Sequence, residues 1–175
     1  AVTGGSGAIT YSVTLGPAGF NTTTNFTGLA ANTYTVIVRD ANGCTFTSNT
    51  TVGNNPGPTA VVLTPVNSTC GVANGSFTIG AVTGGGGTNT YSVSPGPAGF
   101  NTTTNFTGLA PNTYTVIVRD INGCTFTSNT TIGNIAGPTA LALTPVNSTC
   151  GNSNGSFTIG AVTGGTSAYT YSVSP

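Results

Sequence analysis

Across 113–119 the chain reads TYTVIVR, and side-chain character alternates with a period of two: Tyr114, Val116 and Val118 share one side, Thr115, Ile117 and Arg119 the other. That period belongs to a half-buried strand rather than a helix. The same test along the chain predicts strands at 60–66, 76–82, 90–94, a short one around 100–103, and others at 105–109, 113–119 and 125–132, with Gly, Pro and Asn clustered between them. Phe77, Ile79 and Ala81 fall on one face of 76–82. With Tyr91, Val93, Phe106, Leu109 and Phe126 they make the expected core beneath the Tyr114, Val116, Val118 face. The opposite faces carry mainly Thr, Ser and Asn, which suit a pleated surface in water. Seven short strands of this kind predict an all-β sandwich.

The pattern recurs. AVTGG begins at Ala1, Ala81 and Ala161, GPAGFNTTTNFTGLA at Gly16 and Gly96, TYTVIVRD at Thr33 and Thr113, and LTPVNSTCG at Leu63 and Leu143. All four motifs share one offset, and a period of about 80 residues is too long for a solenoid coil but fits one small sandwich per period. The turn-rich segments 53–58 and 133–138 mark the joints. The expected organisation is therefore three immunoglobulin-like repeats in tandem: the C-terminal part of one at 1–55, a complete one at 56–135, and the N-terminal part of another at 136–175. Cut strands leave hydrogen-bonding groups and half a core uncovered, so the flanking parts need further sequence or neighbouring chains for stability. Between copies, Val61-Val62 becomes Leu141-Ala142 and Val52 becomes Ile132, exchanges that keep apolar bulk roughly constant.

Charge narrows the possible chemistry. The 175 residues hold two Lys+Arg, two Asp+Glu and no His, and only 2% are charged, against roughly 25% in an ordinary domain. Arg39, Asp40, Arg119 and Asp120 are all the charges there are. Without an imidazole or amine to serve as a base, no enzyme is expected and no cofactor is called for. A net charge of zero offers no footprint for nucleic acid or for an anionic membrane surface. No apolar run approaches the about eighteen residues of a membrane span, so membrane insertion is not expected either. The opening AVTGGSGAIT lacks the marks of a signal peptide, and the chain reads as a window of a longer polypeptide.

Two groups of residues resemble known domains. Leu109-Ala110-Pro111-Asn112-Thr113-Tyr114 is similar to the corner of fibronectin type III and related immunoglobulin-like domains in which a Tyr bonds nearby backbone; Tyr34 holds the same place in the first copy. The wider pattern of Cys70, Asn74-Gly75-Ser76, Gly84-Gly85, Tyr91-Ser92-Val93, Leu109, Asn112 to Val116, Asp120 and Asn122-Gly123-Cys124 resembles the SprB-type repeat of surface adhesins from gliding Bacteroidota. The likeness covers the complete repeat and both partial ones. It differs at Ser94-Pro95, where many repeats of that family carry a Trp. Membership implies export by type IX secretion and display on the cell surface in very long filamentous adhesins that serve gliding motility.

The cysteines Cys44, Cys70, Cys124 and Cys150 are the strongest chemical signal. Spacings of 26 and 54 without His do not suit zinc, and a catalytic thiol would have no base, so no metal site is expected and disulfides are. Three pairings are open. The first joins Cys70 to Cys124; the second joins Cys44 to Cys70 and Cys124 to Cys150. The third bridges adjacent repeats, from the Cys70 position of one to the Cys124 position of the next, with partners that lie beyond 1–175. If Cys70 ends the first strand and Cys124 follows the last turn, a strand of seven or eight residues sets them roughly 25 Å apart, against a limit of about 7 Å between Cα atoms.

Asp40 and Asp120 are expected in hairpin turns, with Asn-Gly providing positive φ and the carboxylate bonding turn amides. One Asp per repeat is too few for calcium. The glycines at 84–87 lack the Lys and helix of a phosphate loop. Asn67, Asn101, Asn105 and Asn129 begin Asn-x-Ser/Thr triplets, glycan acceptors only in a host with that pathway. Without Lys or Gln, isopeptide and ester cross-links cannot form. The expected role is a non-catalytic stalk or spacer of an extracellular adhesin or surface filament on a bacterial cell. Its partners are neighbouring repeats and other copies in a filament, and the full-length protein holds the surface or glycan ligand. The alternative is a module binding carbohydrate or ice through Thr- and Asn-rich strands such as 101–104. Missing Trp and carboxylates weigh against sugar, and twisted sheets against ice.

Overall fold

The computed structural model describes residues 2–16, 19–97 and 99–174; residues 1 and 175, and positions 17, 18 and 98 within the two GPAGF segments, lie outside it. The described chain is all-β and forms two compact units, 1–55 and 56–175.

The first unit is one antiparallel sheet in the order β1 (Thr10–Val13), β2 (Asn32–Arg39), β3 (Thr45–Val52). The second unit begins with β4 (Pro58–Val66), β5 (Ser68–Thr69), β6 (Gly75–Gly84), β7 (Thr90–Ser94), β8 (Asn105–Leu109), β9 (Asn112–Arg119) and β10 (Thr125–Ile132). It continues through β11 (Asn134–Ile135), β12 (Pro138–Val146) and β13 (Ser156–Gly164). Its sheets run β4-β6-β8, β10-β9-β7 and β12-β13, all antiparallel, and a two-residue parallel pair joins β11 to β5.

One core lies between the sheets β4-β6-β8 and β10-β9-β7. Phe77, Ile79 and Phe106 from the first meet Tyr91, Val93, Tyr114, Val116, Val118 and Ile132 from the second, flanked by Val61, Leu63, Val82 and Leu109. The Phe77 ring stacks on Phe106 at 5.0 Å and meets Tyr114 tilted at 5.9 Å. Phe77, Val116 and Val118 are fully buried. Alternation along β9 puts these residues there, since Tyr114, Val116 and Val118 are buried while the residues between them are not.

Three details depart from the pattern. Ala81 is exposed and Val82 turns inward instead. The reason is a bulge: Leu63 pairs with Ile79 but Val61 with Val82, so Gly80 and Ala81 together face Val62 and the alternation shifts by one residue. Phe126 is half-buried at the far end of β10, outside the core cluster that Ile132 joins. The strand expected around 100–103 is a single bridge between Asn101 and Tyr91, and the Ile79 amide donates to Thr104 O at 2.8 Å.

Identical sequence takes different burial in different surroundings. NTYTVIVR forms both β2 and β9, yet Val36 and Val38 are half-buried where Val116 and Val118 are sealed. β12 and β13 pair in the same bulged register as β4 and β6, but Phe157 is 46% exposed where Phe77 is 0%. Burial follows from the covering sheet, not from the strand itself.

Candidate functional site

The turn between β9 and β10 is organised by Asp120. Its Oδ1 accepts from the amides of Asn122 at 3.0 Å and Cys124 at 2.9 Å, and Oδ2 from the amide of Gly86 at 3.1 Å. One buried carboxylate thus holds the hairpin and ties it to the loop between β6 and β7. Burial alone would raise its pKa, but the amides of Gly86, Cys124 and Asn122 and the Asn122 side chain hold it below the ordinary value. Asp40 repeats the arrangement with Ser6, Asn42 and Cys44, and the Ser6 amide leads in lowering its pKa.

The two corner tyrosines sit ahead of this turn along their strands. The Tyr114 hydroxyl donates to Ala110 O at 3.1 Å and that of Tyr34 to Ala30 O at 2.8 Å, with both rings buried. Arg119 and Arg39 do not point at the neighbouring Asp. Their guanidinium carbons lie 3.9 Å over the Phe100 ring and 4.0 Å over the Phe20 ring. Sequence reasoning missed this stacking of a cation on an aromatic face; its one trace is that Phe and Arg keep the same separation in both copies.

The four cysteines are free thiols, Cys124 partly covered and Cys44, Cys70 and Cys150 exposed. Cys124 lies against the start of β4: a Cβ placed on Gly57 would come within 2.5 Å of the Cys124 Cβ and 3.5 Å of its Sγ. No side chain fits there, which explains a glycine whose φ is not positive. Cys70 lies beyond the other end of β4, in a turn where it and Gly71 take φ of 53° and 72°. About ten residues at roughly 3.3 Å each separate the two ends, or about 30 Å. That is far outside the reach of a bridge between Cys70 and Cys124.

A short zipper fastens the Cys70 turn to the chain leaving β10. Ser68 N donates to Gly133 O at 3.0 Å and Cys70 N to Ile135 O at 2.8 Å. Gly133 N donates to Asn67 Oδ1, and Gly71 N to Asn134 Oδ1, each at 2.8 Å. Ser68 is fully buried and donates through Oγ to the same Gly133 carbonyl. Asn74 braces the turn from within through Thr69. Beyond the zipper, a Cβ on Gly137 would lie 3.4 Å from Cys70 Sγ. Sequence reasoning reaches Asn67 only as the start of a glycan triplet, although NSTCG recurring with an Asn three residues later is the signal that marks this turn.

A shallow surface depression is lined by Thr88, Thr90, Arg119, Asp120, Ile121 and Gly123. Its only carboxylate is already engaged by three amides. Among the described residues no three His, Cys, Asp or Glu side chains gather closely enough to hold a metal ion. No helix among them is long and apolar enough to cross a membrane. No protein-family model matches the chain, and no curated protein matches it either.

Proposed function

We propose that this chain is a stretch of stalk from an extracellular adhesin or surface filament on a bacterial cell, made of tandem immunoglobulin-like sandwiches of the SprB type. It works by holding distance rather than by catalysis. The observation that carries this reading is where the chain enters and leaves the 56–135 body. It enters at Gly57, beside Cys124, and leaves through Asn134 and Ile135, paired with β5 beyond the opposite end of β4. With the two connections at opposite ends, each added repeat extends the molecule.

The junction supports the same role. Five residues separate β10 from β12, and two of them are the strand β11, bonded to the body it has just left. The freely swinging part of the linker is reduced to 136–137. The likeness to SprB-type repeats, with what it implies for type IX secretion and gliding motility, belongs to this proposal. Neighbouring repeats and parallel copies are the partners, and the surface or glycan ligand is carried elsewhere on the full-length protein.

Small-angle scattering and electron microscopy on arrays of increasing repeat number test the reading. A spacer lengthens by a constant step per repeat and gives no signal in glycan-array or ice-recrystallisation assays. Saturable binding of a glycan or of ice by the isolated array would instead establish the ligand-binding alternative.

A further inference from the structure

Gly57 and Gly137 stand one repeat period apart and occupy the same local frame. Each opens the Gly-Pro-Thr-Ala start of a first strand, β4 or β12, and these strands pair with β6 and β13 in the same register. A Cβ on Gly84 would meet Gly57 O at 2.8 Å, and one on Gly164 would meet Gly137 O at 3.1 Å. Yet the two glycines have different cysteines beside them. The Cβ position of Gly57 lies 3.5 Å from the sulfur of Cys124, from the repeat that follows this linker, and that of Gly137 lies 3.4 Å from the sulfur of Cys70, from the repeat that precedes it. Superposed by the period, the two observations put both sulfurs no more than about 7 Å from each other around one linker glycine, from which rotation about the two Cα–Cβ bonds and a small shift of the turns would bring them to a bond of about 2 Å.

We infer that every complete junction is clamped by a disulfide between the Cys70 position of one repeat and the Cys124 position of the next. The inference rests on the tandem reading proposed above. Within 1–175, Gly137 has only the first of its two cysteines and Gly57 only the second. Cys70 and Cys124 are both free thiols.

Bond formation needs an oxidant, and the class required is a small-molecule or protein disulfide. A thiolate at one position attacks it, releasing one thiol and leaving a mixed disulfide. The second thiolate displaces the remaining half, so the two cysteines lose two electrons and two protons in all and the oxidant leaves as two thiols. The parallel β5-β11 pair and the turn at Cys70 hold the first sulfur against the linker before any oxidation, and Asp120 fixes the turn that carries the second. The clamp closes over the linker and stops the two bodies hinging at 136–137.

The test uses residues 1–175 followed by a further copy of 96–175. In that copy Ile121→Val, at an exposed position that is Ala41 one period earlier, gives its Cys124 peptide a distinct mass. The array is equilibrated with glutathione disulfide, alkylated without unfolding, and cleaved at Phe and Tyr. The expected product is a cross-linked peptide joining Cys70 to the copied Cys124, with native alkylation of Cys70 reduced at least tenfold. Cys124→Ser in the copy alone restores that alkylation, and Cys124→Ala there guards against a folding defect in the Ser variant.

A cross-link between Cys70 and Cys124 of its own repeat, a persistent glutathione adduct on Cys70, or complete alkylation of Cys70 in an array with intact β circular dichroism each overturns the clamp. Scattering on the same samples keeps the stalk reading separate. An array that stays extended with free thiols loses the clamp alone, and a bridged array no longer than residues 1–175 measured alongside it loses the stalk.

Discussion

The Tyr114 hydroxyl donates to the carbonyl of Ala110, four residues back, at 3.1 Å while its ring is buried beside Phe77. The bond pins the chain where it crosses from β8 in one sheet to β9 in the other. Tyr114→Phe keeps the ring and removes the donor, leaving the Ala110 carbonyl short of a partner. We expect a loss of about 1–2 kcal/mol in urea unfolding with an unchanged slope. A variant as stable as the parent would show that the corner bond carries no stability.

Phe77 and Phe157 occupy the same place in SFTIG yet differ in exposure, 0% against 46%. Phe77→Ala should lower stability by about 3–5 kcal/mol, whereas Phe157→Ala should cost clearly less in the same chain. Adding a further copy of 96–175 should raise the cost at Phe157 toward that at Phe77, because the covering sheet is then supplied. Denaturant titration of the two variants in both lengths of chain reads this out, and equal costs at the two sites in the shorter chain contradict it.

Gly57 is required by proximity rather than by backbone angle. Gly57→Ala drives a methyl into the Cys124 Cβ, and the strain expected for such overpacking is about 1–3 kcal/mol. Cys124→Gly removes the colliding atom, so the double variant should recover much of the loss. A cycle showing simple additivity would place the two residues apart.

The pH dependence of stability should be confined to acid. Asp40 and Asp120 have folded-state pKa values below the ordinary 3.8, so the unfolded chain takes up protons first as pH falls. The stabilisation is complete above the ordinary carboxylate range and declines as pH drops through the folded values. With no His in the chain, Tm should stay flat from about pH 5 to 8. Asp120→Asn should lower Tm at neutral pH and weaken the acid slope; a slope identical to that of the parent would mean that Asp120 is not its source.

Much of the fold is legible from two-residue periodicity. Tyr114, Val116 and Val118 alternate cleanly because β9 is central in its sheet and unbulged, and its inward face follows from the sequence directly. Ala81 and Val82 trade the places expected of them because a bulge opposite Val62 is a property of two paired strands, visible only when both are in register. Phe126 is apolar and correctly phased, but lies beyond the end of the core that its phase points toward. Of the Cys70 turn, the sequence shows the thiol and the recurring Asn67 and Asn74, but not what Asn67 and the turn amides bind. Its bonds to 133–135 join residues more than 60 positions apart, and no local pattern encodes such a pairing. Asp120 is legible as a turn residue, while its bond to Gly86 depends on where the loop between β6 and β7 comes to rest.

If the chain enters and leaves each body at opposite ends, the repeats must string end to end. Small-angle scattering on arrays carrying one, two, three and four added copies of 96–175 tests this most directly. Strands of nine to ten residues at roughly 3.3 Å each set a step of about 30–40 Å per repeat. The maximum dimension is expected to rise linearly by that step. A dimension that rises only as the square root of repeat number, or that levels off as bodies fold back on one another, would contradict end-to-end stacking.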